Sequence, residues 1–339
     1  MIPSRRRITA TDVARLAGVS QPTVSLVLSG NTEARLAPET RARVLAAAEE
    51  LGYRPNIVAQ ALKQRRSYAL GLIVPDLENP YYTEIVTGAE RVAAEAGYAV
   101  LLCDARATSP ARHLEMLRAR WIDGVIVDAV GAADLPQHAL RDMNVVLVGE
   151  PSDVLPWVAA DAESAGRQAA AHLLELGHRS LGFVGPASPL YRFRMRERGF
   201  VQALREAGIS IRSDWLRRGP PTLSGGAREM AKLLSGVERP TGVFCANDLI
   251  ALGALKECTR RGVAVPADMS IVGCDDIELA RVVTPELTTV AVPAKEAGAR
   301  AARRLLDVIE GRAGRPRSQR PLPVKLQVRD TTAAPRGSS

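Results

Sequence analysis

The sequence predicts an α/β protein: a core of two doubly wound parallel-sheet subdomains preceded by a small all-α module. Three observations lead there. From residue 69 onward, short apolar runs alternate with amphipathic stretches of helical period, the pattern of buried parallel strands covered by helices. The pattern also restarts: Gly71-Leu-Ile-Val-Pro75 and Gly182-Phe-Val-Gly-Pro186 are similar strands, each followed by a loop and a helix. Residues 9–52, by contrast, read as three short helices. A chain of 339 residues has room for two or three domains, and its 46% hydrophobic content suffices for a real core.

Thr11 is a candidate N-cap for the first helix, which puts Val13, Leu16 and Ala17 on one face and stops at Gly18. Ser20 can cap the second helix, where Pro22 is tolerated in the first turn and Val24, Val27 and Leu28 point inward. After the polar loop Ser29–Leu36, Pro38-Glu39 opens a third helix with Val44, Ala48 and Leu51 inward and Gly52 at its end. Two short helices joined by a tight glycine-containing turn form a helix-turn-helix. Residues 55–63 are a short helical candidate, and Gln64-Arg-Arg-Ser67 reads as a linker.

Strands are then expected at Ala69–Pro75, Ala99–Cys103, Gly124–Val127, Val145–Val148, Leu181–Gly185, Val243–Ala246 and Ser270–Gly273. Helices are expected at about 83–96, 111–120, 163–176, 197–207, 226–235, 249–261 and 295–310. Open α/β sheets bind ligands at the carboxyl ends of their strands. Those ends are polar here: Asp76, Asp104, Asp161, Asn247-Asp248 and Asp275-Asp276.

The net charge of +8 is unevenly spread. Residues 1–66 hold eleven Lys/Arg against five Asp/Glu, so +6 sits in the first fifth of the chain. A basic module joined to a near-neutral one suggests a polyanion partner for the first alone. The start, Met1-Ile-Pro-Ser-Arg-Arg-Arg, lacks the apolar stretch of a signal peptide, and no apolar run reaches the roughly 18 residues of a membrane helix, so a cytoplasmic protein is expected. The four cysteines show neither zinc-site nor disulfide-framework spacing. Neither a phosphate loop nor a dinucleotide fingerprint occurs, which argues against a nucleotide-dependent enzyme. No enzyme activity, cofactor or metal is expected.

Residues 9–67 resemble the DNA-binding headpiece of lactose-repressor-type (LacI/GalR) regulators. The matching words are Asp12-Val-Ala-Arg-Leu-Ala-Gly-Val-Ser20, Thr23-Val-Ser25, Pro38-Glu-Thr-Arg41, Leu51-Gly-Tyr-Arg-Pro-Asn56 and Val58-Ala-Gln-Ala-Leu62. The core continues the likeness with Asn79-Pro-Tyr-Tyr82, Trp121-Ile-Asp-Gly124, Glu175-Leu-Gly-His178, Arg196-Glu-Arg-Gly-Phe200, Ala246-Asn-Asp248, Val272-Gly-Cys-Asp-Asp276 and Leu287-Thr-Thr289. The resemblance implies a homodimer or tetramer that reads a palindromic operator in double-stranded DNA. It implies a periplasmic-binding-protein-like core with a small-molecule effector between its subdomains, and repression as the usual output. It also implies a cytoplasmic, bacterial protein, associated with the nucleoid when bound. The expected division is a headpiece over 1–54, a hinge helix and linker over 55–68, a core over 69–334 and an unstructured tail over 335–339. Within the core, one subdomain takes about 69–160 with 293–320 and the other 161–292 with 321–334. Glu150 stands where relatives commonly carry Arg, Leu26 likewise, and Cys274 replaces a usual aromatic.

On the second helix Gln21 can offer an amide fork to an adenine edge, while Thr23 and Ser25 can reach phosphates or bases. Pro22 can give only apolar contact, and Leu26 either packs or touches a base. The resemblance adds Thr11 and, in the hinge, Asn56, Ala59 and Leu62, the last as an apolar wedge for the minor groove. Arg5–Arg7 are either a frayed tail or phosphate contacts. In the core, Tyr81 and Tyr82 with Asn79 follow the first strand; a tyrosine pairs an apolar face with a hydroxyl and suits a sugar or planar ring, or packs between subdomains. The Arg196 guanidinium fork fits a carboxylate or adjacent hydroxyls, and Arg196-x-x-Gly199 matches the family's ligand arginine. Neighbouring Arg192, Arg194 and Arg198 read as surface charge. Asp275 is expected to accept from ligand hydroxyls, and Asp161 and Asn247 either do the same or cap loops.

Overall fold

The structure is a computed structural model and describes residues 8–28, 36–53, 66–128, 135, 143–188, 190–312 and 320–336. The chain divides into two compact units, Met1–Ser67 and Tyr68–Ser339.

The first unit holds α1 (Ala10–Ala17), α2 (Gln21–Leu28) and α3 (Pro38–Glu50). Val13, Ala14, Ala17, Val24, Val27, Val44, Ala47 and Ala48 form its core. The N-cap of α1 is Thr9, not Thr11. Thr9 has extended backbone, its hydroxyl accepts from the Asp12 N–H, and the Asp12 carboxylate accepts from the Thr9 N–H, closing a reciprocal capping box. Thr11 therefore lies exposed within the first turn. Leu16 is also exposed rather than inward. At 100° per residue, Val13, Ala14 and Ala17 span one narrow face and leave Leu16 on its flank. Gly18, at φ +65, closes the helix in a left-handed cap that only glycine adopts without strain.

The second unit carries two sheets. The first contains β1 (Ala69–Val74), β2 (Ala99–Asp104), β3 (Gly124–Val127), β4 (Val145–Val148) and β5 (Trp157–Val158) in the order β2-β1-β3-β4-β5, all parallel. Its helices are α4 (Pro80–Glu95) and α5 (Pro110–Arg118). The second sheet contains β6 (Leu181–Pro186), β7 (Leu216–Gly219), β8 (Gly242–Cys245), β9 (Ser270–Asp275), β10 (Thr288–Ala291) and β11 (Lys325–Gln327). Its order is β11-β10-β9-β8-β6-β7, with only β11 antiparallel to its neighbour. It is served by α6 (Ala162–Glu175), α7 (Tyr191–Glu206), α8 (Leu223–Leu234), α9 (Asp248–Arg260) and the short α10 (Leu279–Val282). After β10 the chain returns to the first sheet as α11 (Ala294–Ile309), which packs on α4, β3 and β4. It crosses back near Leu322, which bridges to Ala160. Three chain segments thus join the subdomains: 158–162, 291–294 and the region of Leu322.

Strands β5, β7, β10 and β11 are absent from the sequence reading. β5 is two residues long, and β7 and β11 are edge strands whose Leu-Arg-Arg-Gly and Lys-Leu-Gln show no buried alternation. β10 buries two threonines, whose hydroxyls are satisfied by Thr332 and Asp248, and so lacks an apolar signature. In the expected unstructured tail, Pro335 and Arg336 are described, and Arg336 pairs with Asp268.

Helices α6 and α7 touch backbone to backbone. A Cβ on Gly166 would stand 2.0 Å from the Arg196 carbonyl oxygen, and one on Gly199 2.0 Å from that of Glu163. This reciprocal contact sets the position of α7 and of the arginines on it. Gly199→Ala is therefore expected to force the helices apart and destabilise the protein by at least about 1–3 kcal/mol, the usual cost of overpacking. A lowered midpoint in chemical denaturation checks it; an unchanged midpoint would show that the contact can relax freely.

Candidate functional site

Two surfaces concern function, one in each unit. On the first, α2 turns Val24 and Val27 into the core and leaves Gln21, Pro22 and Leu26 exposed, with Thr23 and Ser25 half-buried. The Ser20 hydroxyl accepts from the Thr23 N–H and hydrogen-bonds the Thr23 hydroxyl at 2.8 Å, so Ser20 caps the helix and the Thr23 side chain is partly engaged. The exposed face presents an amide and two apolar groups, able to meet base edges and a thymine methyl. Thr11 is exposed on α1. Asn56, Ala59 and Leu62, with Arg5–Arg7, lie outside the described residues.

In the second unit, the carboxyl ends of the two sheets face each other across a cleft. Helix α7 begins at Tyr191, six residues earlier than the sequence reading placed it. Its opening run Tyr-Arg-Phe-Arg-Met-Arg-Glu-Arg is too charged to show an apolar stripe. The early start puts Arg192 and Arg196 one turn apart on one face. Both are buried. Arg196 donates through Nη1 to the Ala246 carbonyl at 2.6 Å and through Nη2 to Asp275 Oδ1 at 2.8 Å, at the ends of β8 and β9. Arg192 donates through Nη1 and Nη2 to both oxygens of Asp128, fully buried at the end of β3. Asp128 belongs to the first sheet and Arg192 to the second subdomain, so this ion pair spans the cleft. Glu150, after β4, accepts from the Tyr191 N–H at 3.2 Å across the same gap. The Arg192 guanidinium also stands over Gly149, where a Cβ would come within 2.9 Å of its Cζ.

Tyr81 and Tyr82, in the first turn of α4, complete the cluster. Their rings meet edge to face at 5.2 Å, and the Arg192 guanidinium lies 5.7 Å from the Tyr82 ring centroid. Tyr82 lines a cavity of about 510 Å³ together with Asn79, Leu190, Phe193, Pro220 and Pro221. Tyr81 and Asp275 line a second cavity, of about 790 Å³, on the side of the 291–294 crossing. The backbone of Asp275 (φ 129) and Asp276 (φ 56) is held in conformations unfavourable for side-chain-bearing residues, strain of the kind that concentrates at functional sites.

The cleft thus brings together Tyr81, Tyr82, Arg196 and Asp275 of the residues expected from the sequence. Asn79, Asp161 and Asn247 serve as N-caps: their side-chain oxygens accept from the N–H groups of Tyr81, Ser164 and Ile250. Asn79 also lines the 510 Å³ cavity, and Asp161 caps α6 through Oδ1. Arg192, read with Arg194 and Arg198 as surface charge, is instead buried, while Arg194 and Arg198 are exposed; Asp128 was not singled out. The helical spacing of Arg192 from Arg196, and the place of Asp128 directly after an apolar strand, were the available signals.

Burial dominates the electrostatics. It raises the Asp128 carboxyl to about 6 against the attraction of Arg192, and raises Asp275 despite Arg196. Burial, then the negative charge of Asp275, pushes Asp248 up to about 7, although the Thr289 hydroxyl (2.5 Å) and Ile277 N–H (2.9 Å) favour its charged form. Burial also holds the Tyr81 and Tyr82 phenols well above their usual range, so both stay neutral donors at pH 7.

A carboxyl raised above its ordinary value near 3.8 holds its proton longer in the folded than in the unfolded chain. The stability it contributes is lost as the pH rises from about 4 through 7. Burial lowers His172 and His178, which act in the opposite sense, so the readout is a difference. Relative to Asp248→Asn, the wild-type protein is expected to lose stability between about pH 4 and 7 and to level off above that. Denaturant midpoints across that range check it, and parallel curves would remove Asp248 from the account.

Among the described residues no group of three or more His, Cys, Asp or Glu is placed to hold a metal ion, and no helix is long and apolar enough to cross a membrane. Residues 9–56 match the family model of bacterial regulatory proteins, lacI family, and residues 170–332 that of a periplasmic binding protein-like domain. The chain is 34% identical over 313 residues to the HTH-type transcriptional repressor PurR of Mannheimia succiniciproducens, covering 89% of this chain and 92% of that protein. It is 36% identical over 311 residues to the HTH-type transcriptional repressor CytR of Escherichia coli K12, covering 89% and 90%. Among solved structures it is similar to the lac repressor dimer bound to operator and the anti-inducer ONPF, with TM-score 0.86, 29% identity and coverage of 97% and 100%. It is also similar to a complex of the transcriptional regulator CelR with cellobiose, with TM-score 0.71, 30% identity and coverage of 96% and 100%. A helix-turn-helix, a two-sheet core with a charged cleft, and relatives matched along nearly their whole length place this chain in the lacI family of bacterial regulatory proteins.

Proposed function

We propose that this protein is a homodimeric transcriptional repressor whose grip on a palindromic operator is controlled by a small-molecule effector held between its two core subdomains. One observation carries the reading. The same chain joins an α2 face of Gln21, Pro22 and Leu26, exposed and free of acidic groups, to a core whose two lobes are linked by three segments and meet at buried charges. A face of that kind suits the major groove. A hinged cleft suits a ligand that favours one lobe arrangement over another. In this reading the protein works in the cytoplasm, on the nucleoid when bound, with no catalytic step and no cofactor beyond the effector. Gln21, Pro22, Thr23, Ser25 and Leu26, together with Asn56, Ala59 and Leu62, make the DNA contacts. Tyr81, Tyr82, Arg196 and Asp275 face the effector.

Selection of bound sequences from random DNA by the full chain tests this. The expected product is an inverted repeat of roughly 14–20 base pairs, because a two-fold dimer places two recognition helices about one or more helical turns apart. The log of affinity should fall with the log of salt at a slope of about −5 to −7, for six to eight phosphates neutralised at about −0.9 each. A single asymmetric half-site, or a slope shallower than about −2, would reject a headpiece-driven dimer. Gln21→Ala should relax preference at one base pair of each half-site by about 1–3 kcal/mol, read by competition between operators differing there.

A further inference from the structure

Both buried arginines of the cleft are paired through the same edge of the guanidinium. Arg192 meets Asp128 with Nη1 and Nη2, and Arg196 uses Nη1 and Nη2 for Ala246 and Asp275. The other edge, headed by Nε, is free in each: Arg192 Nε and Arg196 Nε are buried atoms with no hydrogen-bond partner among the described residues. A buried N–H left unpaired costs about 1–3 kcal/mol, more on a charged group, and native proteins rarely leave two side by side. The two residues are four apart on α7, so their side chains are neighbours. What the pair lacks is acceptors, and the acceptor that fits a guanidinium edge with two parallel bonds is a carboxylate.

The surroundings bear on the rest of the molecule. The cavity lined by Tyr82, Leu190, Phe193, Pro220 and Pro221 is separated from Arg192 by its own lining: the guanidinium stands over Tyr82, and Phe193 follows Arg192 in the chain. Its polar groups include Asp76, Asn79 and Arg106, and the Arg106 guanidinium is already shared by Asp76, Glu78 and Asp104. Two aromatic side chains and several prolines form a wall for the flat face of a ring, and offer little to an open polyol.

We propose that the effector is a small ring-bearing carboxylic acid, whose carboxylate takes the free Nε edge of Arg192 while its ring lies against Tyr82 and Phe193. This rests on the regulatory reading above and narrows it to a ligand class. It makes Arg192 a specificity-determining residue, separate from Arg196. A neutral analogue cannot offer the guanidinium a second charged partner. Asp128, held up to about 6 by burial, can absorb the added negative charge by accepting a proton.

The test uses the full-length protein and matched pairs of probes: benzoate with benzamide, nicotinate with nicotinamide, and D-galacturonate with D-galactose. Binding is read by thermal shift and titration calorimetry, with each probe at up to about 10 mM, because a ligand that prefers the folded state raises its melting temperature. At least one acid is expected to bind at least tenfold more tightly than its neutral partner. Arg192→Lys keeps a cation for Asp128 but has no Nε edge, and should lose that preference. If its ligand-free melting temperature shows that it does not fold, the charge-free double variant Arg192→Leu/Asp128→Leu takes its place. Equal binding of acid and neutral partner, no response to any acid, or acid preference that survives in the folded Arg192 variant overturns the proposal. The regulatory reading is judged separately by operator selection with the ligand-free wild-type protein: operator binding without any acid response defeats the ligand class alone.

Discussion

Burying a guanidinium is tolerated only where acceptors meet it, because a charge removed from water costs several kcal/mol that a partner must offset. That requirement governs how the core of this protein closes. Arg192 and Arg196 stand on consecutive turns of α7 and are both buried, yet they solve the problem differently. Arg196 finds its acceptors at home, in Asp275 and the Ala246 carbonyl of its own sheet. Arg192 finds its carboxylate on the opposite subdomain, in Asp128. One arginine ties α7 to the strands beneath it, and the next ties one lobe to the other. Opening the cleft means separating Arg192 from Asp128, and removing either partner alone would leave a buried charge unmatched.

The backbone around these charges is built to allow them. Gly166 and Gly199 bring α6 and α7 into direct contact, which carries the first turn of α7 to the cleft edge. Gly149 leaves the space the Arg192 guanidinium occupies, and Glu150 meets the N-terminus of α7, where a negative charge is favoured by the exposed N–H groups. The same close packing recurs between α4 and α11 through Gly88 and Gly298, and between α8 and α9 through Gly226 and Gly253. Helices held this closely move as rigid layers, which leaves the three connecting segments as the natural places for the lobes to pivot.

The helix-turn-helix unit is held by little. Among the described residues, eight buried side chains, four of them alanines, make up its core, so its caps matter in proportion. The Thr9–Asp12 capping box and the Ser20 cap each contribute about 1 kcal/mol in favourable cases. Against that small total, Pro22 and Leu26 remain exposed on α2, where a buried position would have added to the core. Single exposed apolar residues are common, but on the face next to Gln21 they also remain available to a partner.

Local patterns carried much of this molecule into view. Val24 and Val27 in one period, Pro38 opening α3, and the apolar runs that became β1, β3, β4, β6, β8 and β9 are all signals written within a few residues of chain, because buried strands and helix faces repeat at fixed spacings. Those spacings, with the words around Ser20, Asn56 and Arg196, were enough for the fold class and the family. They were not enough for Leu16, since only the packing of three short helices decides which flank of α1 is covered. Nor did they reach β10 or Arg192, where polar side chains are buried because a distant residue satisfies them. The sequence places Arg192 and Asp128 64 residues apart and marks each as an ordinary charge. Only the folded core, by closing two sheets onto one cleft, makes them partners and leaves two N–H edges beside them unmatched.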